Sequence, residues 1–128
     1  MAKPEPTFTD TAAPPRNFTL SLDERLRAYT QGALGYMRRR RRIEDLEEKI
    51  LGKLAAAAAP HEVAASPEVV EELALLNDLI DKHNRYYPIE ANLPIDVRTG
   101  RLLERGKPWQ PLRPITAGDL LARAAAGR

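Results

Sequence analysis

Two stretches hold residue types that could do chemistry. The first, "YMRRRRRIEDLEEKI" over Tyr36–Ile50, sets five consecutive arginines, Arg38–Arg42, against the acids Glu44, Asp45, Glu47 and Glu48. Guanidinium forks pair with phosphate or carboxylate, so the run is either a grip for an external anion or half of an internal ladder. On a helix, consecutive positions turn by about 100° each, so five of them circle the axis and make no one-sided basic face. Glu44 and Asp45 fall three or four residues beyond Arg40, Arg41 and Arg42, the spacing at which helical side chains meet. The two blocks are centred about 9 Å apart along a helix, close to the screening length of about 8 Å. A distant phosphate would sense a largely cancelled dipole. The expectation is an internally paired face. The alternative is nucleic-acid contact through Arg38, Arg39, Arg41 and Arg42 with Arg98, Arg101, Arg105 and Lys107, although no duplex-binding motif accompanies them.

The second stretch, "HNRYYPIEANLPID", starts at His83. Arg85, Tyr86 and Tyr87 are of the types favoured as interface anchors. They would equally stitch a helix end to an irregular segment through hydroxyls and the Asn84 amide. His83 with Glu90 or Asp96 has the makings of an acid–base pair. The only other imidazole, His61, lies in a different connection, so no metal centre is expected. There is no cysteine, no serine with a convincing base, and no glycine-rich phosphate cradle; "RTGR" and "ERGK" are too short. The sequence therefore points away from an enzyme and calls for no cofactor. Trp109, in "GKPWQPLRP", reads as an anchor pinning the C-terminal segment rather than as a proline-rich ligand.

Helices must position these residues. Ser21 with Glu24 forms a capping box that opens a first helix, with Asp23 also favouring its positive end. No proline intervenes until Pro60, allowing about 38 residues, or roughly 57 Å. Leu22, Tyr29, Tyr36, Ile43 and Ile50 recur at intervals of seven, with Leu26, Ala33, Arg40, Glu47 and Leu54 as companions. That period predicts a coiled coil or long antiparallel bundle. Gly32 and Gly35 either bend this helix or admit another backbone closely. Ser66, Pro67 and Glu68 open a second helix expected to reach about Tyr87 before Pro88. Its stripe of Val69, Leu73, Leu76, Ile80, His83 and Tyr87 is widened by Leu75, Leu79 and Tyr86 to about 160°, enough for two neighbours.

Residues 1–20 carry four prolines and read as a flexible arm. Residues 88–128 form an extended wrap with a last helix capped by Thr116 and Asp119. Within it, Asp96–Gly100 has the form of a type I turn with glycine in the left-handed position, flanked by brief strands or plain extended chain over 95–104. The fold expected is mainly α: a long antiparallel helical hairpin, coiled-coil-like, over 21–87, with the extended segment laid across it.

The chain has 128 residues and a net charge of +2, too little to argue for a polyanion partner. The charge alternates along it, with +3 over residues 1–59 (11 bases, 8 acids), −4 over 60–87 (2, 6) and +3 over 88–128 (7, 4), a pattern suited to internal neutralisation. The absence of cysteine fits a reducing, cytoplasmic compartment. No apolar run is long enough to span a bilayer, and the opening residues lack a secretory core segment.

If the second helix folds back, it covers only part of the first. Leu22, Leu26, Tyr29 and Ala33 are left over, and each buried side chain of this kind is worth about 1.5–3 kcal/mol. The function expected is a non-enzymatic interaction module: an adapter, a small assembly subunit or a self-associating scaffold, with a homo-oligomer as one form. Its surface would comprise Leu22, Leu26, Tyr29, Ala33, Tyr36, Tyr86, Tyr87 and Trp109.

Overall fold

The computed structural model describes residues 20–93, 95–100 and 110–127. Among the described residues five helices run in order: α1 (Leu22–Ala56), α2 (Pro60–Ala64), α3 (Pro67–Asn84), α4 (Tyr87–Glu90) and α5 (Ala117–Ala126). The protein is mainly helical, and no strand occurs among the described residues.

Short-range signals set the helix starts. At α1 the Glu24 amide donates to Ser21 Oγ (3.2 Å) and the Ser21 amide to Glu24 Oε1 (3.0 Å), satisfying two of the donors that a helix start leaves open. Thr116 and Asp119 make the same reciprocal pair at α5. At α3, Ser66 Oγ accepts from the Val69 amide at 3.4 Å, and Pro67, which has no amide to satisfy, occupies the first position.

The helix ends differ from expectation. α1 stops at Ala56, and Pro60 begins α2 rather than merely ending what precedes it. A proline at a first helical turn loses no bond, because that amide has no intrahelical partner. α3 stops at Asn84, three residues short of Tyr87. Continuation would drive the Pro88 ring into the carbonyl of Asn84. The chain instead tightens through Tyr86 N to His83 O (3.1 Å) and restarts as α4, with Pro88 in its first turn.

Gly32 interrupts α1 with φ 44° and ψ −119°, a conformation open in practice only to glycine. A Cβ there would lie 3.0 Å from Ile95 Cδ1. Gly32 therefore marks a bend, and what lies close to it is the Ile95 side chain rather than another backbone, while Gly35 sits in regular helix.

The chain divides into two units, Met1–Arg40 with Ile80–Pro114 and Arg41–Leu79 with Ile115–Arg128. In the first, Tyr36, Tyr87, Leu93 and Val97 form the core, with Ile89, Ala91 and Ile95 packed against them. The Asp96 carbonyl accepts from Thr99 (3.1 Å) and Gly100 (2.6 Å), and Gly100 has φ 77°, the expected turn. Where brief strands or plain extended chain were expected, Ile95 makes one isolated bridge; Leu102 and Leu103 lie outside the described residues. In the second unit Ile43, Ile50, Leu54, Val69, Leu76 and Leu120 are buried, and α2 packs against α5. Lys53 Nζ reaches Glu68 (2.6 Å) and Glu72 (2.8 Å), and Lys49 reaches Glu72 at 3.1 Å. Those lysines hold the Glu72 carboxyl below its usual range, by hydrogen bonding first.

Candidate protein interface

The seven-residue row on α1 meets two fates. Tyr36, Ile43 and Ile50 are buried, whereas Leu22 and Tyr29 are 68% and 63% exposed, and the companion Leu26 is 52% exposed. A periodic seam keeps its phase only along unbroken helix. Beyond Gly32 the phase is reset, and Ala28 and Leu20 turn inward in place of the seam residues. Leu22, Leu26 and Tyr29 share one face within about 60°. Leu34 and Met37, three residues apart on the other side of the bend, are also about half exposed. These two were missing from the sequence-based set because they lie off the seven-residue rows. Leu22, Leu26 and Tyr29 thus leave apolar side chains in solvent on one face, and Leu34 and Met37 add further exposed apolar side chains beyond the bend.

Of the other expected contact residues, Ala33 is half-buried and Tyr86 is half-buried against Arg39. Tyr36 and Tyr87 belong to the core of the first unit. Burial raises both of their phenolic pKa values. Trp109 and Arg101, with Arg105 and Lys107, lie outside the described residues.

The arginine run separates into different environments. Arg38, Arg41 and Arg42 are exposed, and Arg39 and Arg40 are half-buried. One rung of the expected ladder is Arg41 to Asp45 at 3.9 Å, with both side chains largely in solvent, a geometry worth little. Arg39 does something the sequence reading missed. Its Nη2 donates to both oxygens of the buried Glu90 carboxylate at 2.5 and 2.6 Å, and its Nε donates to His83 Nδ1 at 3.2 Å. Its guanidinium carbon also lies 3.9 Å from the centre of the Tyr86 ring. A signal existed: Glu90 sits among Ile89, Ala91 and Leu93, so a carboxylate there needs a cation, and five were on offer.

His83 is fully buried, with Tyr36 edge-on at 5.0 Å. Since Nδ1 accepts from Arg39, the hydrogen bonding assigns the neutral proton to Nε2. Burial first, then Arg39 and Arg40, push the imidazole pKa down to about 3. Burial pushes Glu90 up from its usual value, and Arg39 opposes it. His83, Arg39 and Glu90 are thus a structural hub in which the imidazole stays neutral and the carboxylate is doubly bonded. Among the described residues, no group of three or more His, Asp or Glu could hold a metal ion, and no helix is long and apolar enough to cross a membrane.

No family model, curated protein or solved structure matches the chain.

Proposed function

We propose that this chain is a protein–protein interaction module whose contact surface is the apolar face of α1 on both sides of Gly32. One observation carries this reading: Leu22, Leu26, Tyr29, Leu34 and Met37 are 52–68% exposed. Burying them in an interface would recover a free energy that single scattered apolar residues never represent. The simplest occupant is a second copy, because an isologous contact sets the same apolar face against itself. The module's frame is read as an antiparallel pairing of α1 with α3. The order of the ion pairs in the second unit supports it, with Lys53 joined to Glu68 and Glu72, and Lys49 to Glu72 alone.

Light scattering across a concentration series tests the proposal. A dimer is expected at high micromolar concentration, and the double change Leu26→Asp, Tyr29→Asp is expected to return it to monomer with helicity intact. A chain that stays monomeric throughout removes self-association and leaves a different protein as the partner.

A second reading, contact with a polyanion, draws on the exposure of Arg38, Arg41, Arg42 and Arg98. Arg39 is committed to Glu90, which weakens this reading. It requires retention of single-stranded or duplex nucleic acid that falls steeply with salt. Salt-independent or absent retention eliminates it.

A further inference from the structure

The charge of the chain is divided unevenly. The first unit, Met1–Arg40 with Ile80–Pro114, carries +6 (14 bases, 8 acids), and the second carries −4 (6, 10). The exposed apolar face of α1, from Leu22 to Met37, belongs wholly to the basic unit.

Within that unit several acids already face a cation. Glu24 meets Arg85 at 3.3 Å, Glu90 meets Arg39 at 2.5 Å and Asp96 meets Arg98 at 3.4 Å. Arg25, Arg27 and Arg38 are exposed and have no ion pair among the described residues. Two of these three border the apolar face. Arg25 lies three residues from Leu22 and four from Tyr29, and Arg38 lies four from Leu34, the spacings at which helical side chains are neighbours. The exposed acid Asp23 borders the face too, beside the positive end of the helix. Leu22, Leu26 and Tyr29 follow the 0, 4, 7 spacing of a ridge against which a second helix packs.

This setting ranks the possible occupants. Two copies meeting face to face bring +6 against +6, and like charges at close range oppose the apolar gain. The second unit of another copy is acidic, but its Asp45, Glu47, Glu68 and Glu72 already face cations of that same unit. A helix with leucine-type residues on one side and carboxylates along its flanks supplies both apolar contact and opposite charge.

We infer that the preferred occupant of the α1 face is an acidic amphipathic helix of another protein, which displaces the weaker contact between copies. The inference rests on the reading of this face as an interface and chooses among its occupants. Leu22, Leu26, Tyr29, Leu34 and Met37 take the apolar side of the incoming helix. Arg25 and Arg38 hold its carboxylates at the rim.

The test uses the full chain and a fluorescein-labelled helical peptide of Leu-Glu heptads, with a Leu-Lys peptide of the same pattern as control. By anisotropy the glutamate peptide is expected to bind at least about tenfold more tightly than the lysine peptide. Its binding should weaken about tenfold between about 50 and about 500 mM salt. Arg25→Gln with Arg38→Gln should weaken it about tenfold at low salt, with the thermal midpoint unchanged. Arg38→Gln alone serves if the midpoint shifts, since Arg25 Nε also donates to the Leu20 carbonyl. Leu26→Asp with Tyr29→Asp should abolish binding. In light scattering the glutamate peptide should convert any dimer to a single chain carrying the peptide. Equal binding of the two peptides overturns the inference, as does binding that survives Leu26→Asp with Tyr29→Asp. Retention on phosphatidylglycerol vesicles without peptide binding also overturns it, in favour of a lipid surface. A dimer that forms and ignores the peptide overturns the inference and leaves the face an interface between copies. Absence of both dimer and peptide binding removes the two together.

Discussion

Leu22 and Tyr29 stand in the same seven-residue row as Tyr36, Ile43 and Ile50, yet the first two are in solvent and the last three are buried. Side-chain character does not separate them, since tyrosine occurs on both sides. The conformation of Gly32 lies between them. Periodicity thus identifies residues able to share a face, while the continuity of the backbone decides whether they do. Burial beyond the bend also draws on a charge pair, because Arg39 enters the first unit only with Glu90 as its counter-ion.

The largest expected effect breaks that counter-ion. Glu90→Leu strands Arg39 against a buried neighbourhood and should cost about 3–5 kcal/mol in urea denaturation, the range for removing one partner of a buried pair. The double change Arg39→Met, Glu90→Leu should restore much of it. A cost under about 1 kcal/mol for Glu90→Leu would mean that the buried side of the comparison does not depend on this pair.

Next is the bend itself. Gly32→Ala places a Cβ at 3.0 Å from Ile95 Cδ1 on a backbone that alanine rarely adopts. A loss of about 1–3 kcal/mol is expected, read as a lower thermal midpoint. Unchanged stability would show that the helix straightens at no cost, and the contrast across Gly32 would lose its cause.

His83 sharpens the buried side through pH. Its folded pKa, about 3, lies below the ordinary value of 6.5. The unfolded chain therefore binds a proton first, and the His83 contribution is complete above about pH 6.5 and is lost as pH falls toward 3. Between pH 7 and 5 the loss should be about 1–2 kcal/mol, and His83→Gln should flatten that slope. Glu90 acts with the opposite sign, since its raised pKa favours the folded state as its carboxyl takes up a proton. Glu72, Asp96 and Asp119, with lowered values, lose their contributions only at more acid pH. A slope that His83→Gln leaves unaltered would deny the imbalance.

The smallest effect belongs to the exposed side. Leu26→Ala should change monomer stability by no more than about 0.5 kcal/mol, measured at concentrations below association. A core-sized loss there would mean that Leu26 is packed.

What the sequence discloses depends on distance along the chain. Ser21 with Glu24, Ser66 with Pro67, Thr116 with Asp119 and the turn at Asp96–Gly100 are readable because cause and effect lie within five residues. The excess of α1 over α3, 35 residues against 18, follows from proline placement. At Gly32 the sequence left bend and close approach open, since a glycine within a helix has the same local sequence whether bent or straight. Arg39 and Glu90 are 51 positions apart, and five neighbouring arginines made the partner ambiguous. For Tyr36 and Tyr87, aromatic character served the core as well as it would serve a surface.

That 51-residue separation has a bearing on how the chain is made. During synthesis Tyr36 and Arg39 leave the ribosome well before Glu90, and until then the guanidinium has no carboxylate with which to enter an apolar interior. The first unit can therefore close its core only once α4 and the residues after it have been made.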